Sequence, residues 1–564
     1  MWFDVVLKDG SIVDGTGNVW YKADVGVKDG KIAVIGDLKS ARARERICAK
    51  GLVVSPGFID IHTHSDRTLL LANRCESKIM QGVTTECVGS CGTSVWPISE
   101  KNRESMRKRL PLGMESTPEM NMDWSTLDGY IQKVESKGTS INIVAKVGHG
   151  TVRSAVLGWE DRTPTQGEIE EMKSLVEESM RDGAFGLSSG LDYVPGCYAE
   201  TDELIELMKV AAKYGGIYDS HVRERDLGSL KQAVEEAIEI GERSGARATQ
   251  ISHMFQRGQG VECLEVIDEA RRRGVDVTAD IHLAGILTNR RKLSTIIPPR
   301  WTKAGFEKLT ESLNDPESRK KIRNDCLIIP MKKTGVTTAG FRHLIRDSRW
   351  GDIKLASLYR KKMLKNEKFV GKSIAEIAEL RGMAPFDVLF DLIIEEEDNV
   401  YGSSIHTDES VRKALIQHPA VMKATDSTCK TATEPWTNIW AQSARDYGSY
   451  AYALGTWVKR DRVLSLEELV RKMTSLPART LGLRDRGLIS KGMYADIVVL
   501  NMDTVEVKST YEDPHQYSRG VEYVIVNGQI VINKGRHTGK LPGRFLRHIS
   551  RLNRGKIPKT YLPA

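Results

Sequence analysis

At 564 residues the chain exceeds one simple domain and can bury a large core. Its 40% hydrophobic and 28% charged residues are ordinary for a globular protein. The formal charge of +8 is spread along the chain, which argues against nucleic-acid binding; the one basic concentration, from Arg544 to Lys559, reads as a solvated helix face or a docking segment. No apolar run approaches the roughly 20 residues of a membrane span, and the first ten residues lack the basic region and apolar length of a signal peptide. The eight cysteines are scattered, so reduced thiols and a cytoplasmic location are expected.

Residues 1–52 read as short strands separated by Gly turns, with Lys8-Asp9-Gly10 and Lys28-Asp29-Gly30 as hairpin signals. A second β-rich stretch covers 492–500 and 521–528, ending in Asn527-Gly528. Two β-rich ends around an α/β middle predict a small β-sandwich domain assembled from residues 1–55 and 481–545. The residues between, 56–480, alternate apolar strands with amphipathic helices, the rhythm of βα units. Strands are expected near 84–88, 141–145, 186–188, 216–218, 248–252, 275–279 and 420–424, and helices at 167–180, 202–213, 227–244 and 465–475. About eight strand ends without a Gly-rich phosphate loop fit a (β/α)₈, TIM-like barrel better than an open doubly wound sheet. A charged stretch around 285–415 is expected to be an insertion over the barrel mouth, and 546–564 a basic tail.

The stretch Val53-Val54-Ser55-Pro56-Gly57-Phe58-Ile59-Asp60-Ile61-His62-Thr63-His64 organises this pattern. An apolar, β-branched run broken once by Pro-Gly reads as a buried strand. His62 and His64 stand two apart at its end, so in extended backbone both imidazoles point to one side. In a barrel, functional residues gather at the C-terminal strand ends. Those ends carry His62 and His64, Cys91, His221, His253 and Asp426. Imidazole and thiolate together favour Zn²⁺ over Mg²⁺ or Ca²⁺. Five such ligands exceed one tetrahedral site, which leaves two arrangements: a binuclear centre bridged by Cys91, or one tight site beside a weaker one. Asp426 is the expected general base and acid. His149, flanked by glycines, is read either as facing the site or as a structural histidine of the turn.

With these residues placed, the chain resembles the amidohydrolase superfamily, and within it the N-acyl-D-amino-acid deacylases (D-aminoacylases). The resemblance is carried by Pro56-Gly57-Phe58-Ile59-Asp60-Ile61-His62-Thr63-His64, by Gly82-Val83-Thr84-Thr85 with Gly89-Ser90-Cys91-Gly92, and by Gly186-Leu187-Ser188-Ser189-Gly190-Leu191-Asp192-Tyr193. It implies that Cys91, His221 and His253 hold a tight zinc and that His62 and His64 serve a weaker position. It further implies Asp426 as catalytic acid/base, Tyr193 as a substrate contact and Arg445 as a clamp on the substrate carboxylate. An Arg suits that role because its planar fork matches a carboxylate.

The substrate shell departs from the family pattern. Thr425-Asp426-Ser427 replaces a Ser-Asp-Gly, Gln442-Ser443-Ala444 precedes Arg445, Met254-Phe255 follows His253, and Asp280-Ile281-His282 stands where a tyrosine-rich turn is usual. The expected reaction is hydrolysis of the acyl amide bond of an N-acyl-D-amino acid. Cyclic-amide or other N-acyl amide hydrolysis on the same metal site is the alternative, and a non-catalytic assembly role a remote one. The partner expected is a small molecule bearing a carboxylate, with no nucleic acid and no membrane; the oligomeric state is left open, a homo-oligomer included. Lys146 keeps a carbamylated-lysine bridge in view, behind Cys91.

Overall fold

The computed structural model describes residues 2–108, 121–223, 230–255, 259–283, 289–302, 305–328, 342–356, 365–404, 409–433, 443–510 and 513–555. Both ends of the chain meet in one nine-stranded sheet, where strands from 497 onward pair through Ile497–Leu500 with Val53–Pro56. Two hairpins there are set by their turns. Asp29-Gly30 and Asn527-Gly528 each place two successive residues at positive φ (52° and 77°, 47° and 80°), the conformation a two-residue type I′ turn requires.

Asp9-Gly10 behaves differently from the expected hairpin turn. It lies inside one continuous strand, Trp2–Ile12, as a bulge at which the register shifts between Leu7 and Gly10. The bulge lets the strand change neighbours, from Arg42–Cys48 alongside residues 2–8 to Val53–Val54 alongside Ser11 and Ile12. Gly is needed because a Cβ at position 10 would meet Val54 Cγ2 at 2.7 Å.

The apolar run at 53–61 also serves two sheets. Val53–Pro56 belongs to the terminal sheet and Phe58–Asp60 opens the parallel one. Pro56-Gly57 is the crossing point, where a Cβ on Gly57 would lie 2.2 Å from Thr84 Oγ1.

The middle of the chain is a ring of parallel strands. Phe58–Asp60, Val83–Val88 and Asn142–Ala145 form one arc. Val147–Gly148, continuing the third strand, begins a second arc through Gly186–Gly190, Ile217–His221, Thr249–Ile251, Val277–Ile281 and Val421–Lys423. The ring closes where the Asp426 N–H donates to His62 O (3.0 Å) and the His64 N–H to Ser427 O (2.9 Å). Helices follow the strands with their own signals: Gln166–Arg181 starts at a Thr165/Glu168 capping box, and Thr201–Lys213 buries Leu204, Leu207, Met208 and Ala211 against the strands.

The insertion, between the seventh and eighth strands, carries its own core, including Leu293, Leu309, Leu355, Leu389 and Phe390. A three-stranded antiparallel sheet (Asn289–Lys292, Ile353–Ala356, Tyr401–Ser404) ties it together. Of the basic tail, residues through 555 are described; Lys556 and Lys559 lie outside. The described part is an extended strap, not a solvated helix. Phe545 is fully buried and bridges Ile143, Arg547 pairs with Asp128 at 2.7 Å, and His548 is hydrogen-bonded to Tyr214 O.

Candidate metal centre

Every residue singled out at the strand ends is found at one end of the ring. His62 and His64 follow the first strand, and both Nε2 atoms converge on Asp426 Oδ1, at 3.6 and 3.1 Å. The two imidazoles do converge as the His-x-His spacing implies, although the strand itself ends at Asp60 and His64 has φ −125° and ψ 26°. Cys91 follows the second strand in a tight turn. Its φ of 53° lies in the left-handed region, and the glycines beside it are forced by close approach, since a Cβ on Gly92 would come within 2.5 Å of Gly190 N. His221 ends the fifth strand and His253 follows the sixth.

Cys91 is shared by two groups of ligand atoms, each lying within 4.8 Å: His62, His64, Cys91 and Asp426, and Cys91, His221 and His253. Its Sγ is 3.3 Å from His62 Nε2 and 3.4 Å from His253 Nε2. Burial alone would push the Cys91 thiol up, but the rings of His62, His253 and His221 outweigh it and hold the thiol well below its usual range. His62 is held well above the usual imidazole range despite burial, because Cys91 and Asp280 face it. A buried thiolate and a half-buried carboxylate among four imidazoles make a donor set for a divalent cation, and the thiolate and nitrogen donors fit zinc.

Two groups behind the candidate ligands stand out in the sequence only as departures from the family pattern. Asp280, at the end of the seventh strand, faces His62 Nδ1 at 3.4 Å with Oδ2 and accepts the His253 backbone N–H at 2.9 Å with Oδ1. Such a carboxylate orients a ligating imidazole and fixes its tautomer. His282, just past the end of that strand, places Nε2 3.3 Å from Asp426 Oδ2. Burial, with help from Arg445, holds His282 well below the usual imidazole range against the opposing pull of Asp426. A third, Asp192, lies 3.2 Å from His221 Nε2. The available signal was position at a strand end; carboxylates are too common there to be singled out without distances.

Asp426 sits at φ 48° in the turn that follows the eighth strand, beyond Ala424 and Thr425. Its Oδ1 faces the histidine pair, while Oδ2 accepts from Arg445 Nη1 at 3.1 Å. Burial raises its pKa, but Arg445, His64, His282 and His62 together hold the carboxyl well below the usual range. Arg445 stands in the first turn of the helix Ala444–Tyr452, which begins at a Ser443/Asp446 capping box. The Tyr193 ring lies 4.5 Å, centroid to centroid, from that of His221 and is tilted 59° to it. His149 opens the helix His149–Leu157, whose Gly148 and Gly150 pack against Gly92 beside Cys91, and it pairs at 2.8 Å with Glu203, which also binds Arg153. Lys146 is engaged with Asp219 at 2.6 Å inside the ring. A carbamate there would set a negative group against Asp219, so Cys91 is the bridging candidate.

Residues 45–237 and 319–532 match the amidohydrolase family. An N-acyl-D-glutamate deacylase of Alcaligenes xylosoxydans xylosoxydans is 31% identical over 552 residues, 96% of either chain. The structure of N-acyl-D-glutamate deacylase from Bordetella bronchiseptica, complexed with zinc and a phosphonate mimic of the tetrahedral intermediate, superposes with a TM-score of 0.73 at 29% identity, covering 97% of this chain and 100% of that one. A D-aminoacylase solved to define the role of its binuclear metal centre, with one-metal activation and second-metal attenuation, superposes with a TM-score of 0.74 at 28% identity and the same coverage.

Proposed function

The chain belongs to the amidohydrolase family, and from that premise we propose that it is a metal-dependent hydrolase that cleaves the acyl amide bond of N-acyl-D-amino acids to a carboxylate and a free D-amino acid. One observation carries the reading: Asp426 reaches the ligand cluster with one carboxylate oxygen and a guanidinium with the other. A single side chain thus joins a metal pocket to a group suited to a substrate carboxylate.

Cys91, His221 and His253 would hold the tight zinc, and His62 and His64, with Cys91 as the shared donor, the weaker position. Zinc bound there supplies Lewis acidity, which lowers the pKa of a coordinated water to about 7. The chain's own groups do the rest. Arg445 turns from Asp426 to the α-carboxylate and fixes the amide's position, a bidentate match. Tyr193 lines the substrate side beside His221. Asp426 takes the proton of the attacking water and returns it to the amide nitrogen as the C–N bond breaks. His149, bound to Glu203, would shape that side of the pocket through its helix rather than through the reacting atoms. The domain division that goes with this reading is a discontinuous β-sandwich from 1–55 and 481–545, a (β/α)₈ barrel over 56–480 interrupted around 285–415, and a tail from 546. Among the described residues no helix is long and apolar enough to cross a membrane; the free cysteines support a cytoplasmic location.

The test is a panel of N-acyl-D-amino acids, their L-enantiomers and cyclic amides, run with zinc-loaded and chelator-stripped protein. Release of the D-amino acid by the loaded protein alone is expected. Opening of a cyclic amide with no turnover of any N-acyl-D-amino acid would overturn the reading.

A further inference from the structure

Beneath Asp426 lies a set of buried charges that neither ligand group uses. Lys78, on the short helix Glu76–Ile79, pairs with Asp60 Oδ2 at 2.9 Å and Glu86 Oε1 at 2.7 Å, all three side chains 0% exposed. The same ammonium donates to Thr425 Oγ1 at 2.7 Å. Asp60 accepts the Thr425 backbone N–H on Oδ1 at 3.0 Å and its hydroxyl on Oδ2 at 2.5 Å. Ser427 Oγ donates to Thr425 Oγ1 at 3.0 Å from the far side of Asp426. Every bonding direction of that one hydroxyl is used.

Taking three charges out of water is costly, and apolar side chains of similar volume would fill the space at least as well. The cluster does something apolar packing does not: it grips a backbone turn. The gripped residues, 425–427, include an aspartate at φ 48°, a conformation that is uncommon for a residue with a side chain and persists only when its surroundings over-determine it. Asp426 itself is joined across the ring closure by its N–H to His62 O. Released from Thr425, the turn would relax toward negative φ and swing the carboxylate away from both the histidines and Arg445.

We propose that Thr425, clamped by the buried Asp60–Lys78–Glu86 group, is a positioning residue that fixes the Asp426 carboxylate for proton transfer; this rests on Asp426 being the acid/base of the reaction proposed above. Thr425 touches no reacting atom. Its hydroxyl is the joint through which a charge cluster on the first two strands sets the geometry of a turn on the eighth.

The experiment compares Thr425→Val, nearly isosteric but without the hydroxyl, with Thr425→Ser, which keeps it. Each zinc-loaded protein is measured for kcat and KM on an N-acyl-D-amino acid, for zinc content and Tm, and for amide hydrogen exchange at residues 425–427. Thr425→Val is expected to lose roughly 10- to 100-fold in kcat per folded protein, the range for small misplacement of a reacting group, with KM and zinc content close to wild type and only a modest fall in Tm from the buried partners left short of a hydrogen bond. Its 425–427 amides should exchange faster by about tenfold or more, and Thr425→Ser should restore both readings. Wild-type kcat and exchange in Thr425→Val would overturn the proposal. So would a loss of activity that merely follows zinc content or folded fraction, which marks a structural role. If wild type releases no D-amino acid, the functional reading fails, and the exchange comparison still reports separately whether the hydroxyl holds the turn.

Discussion

Replacing Arg445 by alanine removes its contact with Asp426 and, on the proposed reading, the clamp on the substrate carboxylate. In the free protein Arg445 Nη1 is 3.1 Å from Asp426 Oδ2, with 15% and 19% of the two side chains exposed; with substrate bound it would hold the α-carboxylate. A hydrogen bond to a charged group contributes about 1.5–3 kcal/mol, so loss of the carboxylate contact should lower kcat/KM by roughly 10- to 150-fold. An amide-capped substrate has no carboxylate to lose and should feel only the disturbance of Asp426, which still has His64 and His282 beside it. The assay is kcat/KM for an N-acyl-D-amino acid and its capped amide, in wild type, Arg445→Ala and Arg445→Lys. The free acid should lose at least about tenfold more than the capped amide in Arg445→Ala. Arg445→Lys should fall between, because it keeps the charge and loses the fork. Equal losses on the two substrates, or none on either, would refute the clamp and favour a substrate without an α-carboxylate.

Cys91→Ala should lose tight zinc and activity together, whereas His62→Ala should keep close to one bound equivalent; full zinc content in Cys91→Ala by metal analysis would contradict the shared-thiolate arrangement. Asp426→Asn should bind zinc as wild type does and lose at least about 10²-fold in kcat, and near-normal turnover would assign the proton transfer to another group. Lys423 is pushed down from 10.5 to about 7, by burial first and by Lys78 and Arg445 against the pull of Asp60 and Asp280. Between those pH values the unfolded chain keeps a proton that the folded barrel has released, so stability rises with pH there and is lost as pH falls toward 7. In urea denaturation the stability difference between wild type and Lys423→Met should shift by about 3 kcal/mol between pH 7 and 9.5, and parallel pH curves for the two proteins would count against it.

The clustering of the histidines with Cys91 was legible because residue type and position at strand ends coincide. His62 and His64 needed only a strand and a spacing of two, and Cys91, His221 and His253 only the rule that strand ends face one mouth. The groups that orient them were not legible. Asp280 meets His62 from 218 positions away, and nothing local in Asp280-Ile281-His282 distinguishes a supporting carboxylate from a solvated one. Left-handed backbone at Cys91, His253 and Asp426 was hidden for a related reason: glycine announces such a conformation in a sequence, and these residues do not. The same limit explains Asp9-Gly10, where the hairpin signal was real but a parallel neighbour at Arg42–Cys48 made a bulge the better use of it. In the insertion, pairing of Asn289–Lys292 with Tyr401–Ser404 joins segments more distant than any periodicity can register.

The arrangement separates what must stay from what can change. The candidate ligands sit at the ends of the first, second, fifth and sixth strands, and around Cys91 backbone approaches backbone: a Cβ on Gly89 would meet Lys146 O at 2.0 Å, and one on Gly92 would meet Gly190 N at 2.5 Å. Lys146, which lends that carbonyl, is itself locked to Asp219, and Asp219 accepts from Ser252 just before His253. A substitution in this layer therefore disturbs several strands at once. Arg445 and Tyr193 stand on segments beyond the strands, one at a helix start and the other in the turn after Gly190, where side chains can vary without moving the ring. Asp426 belongs to both layers, its backbone bonded to His62 and its carboxylate shared between histidines and guanidinium. That double membership gives the buried charges that grip its turn a consequence: displacing this one residue would disturb the candidate metal cluster and the Arg445 contact together.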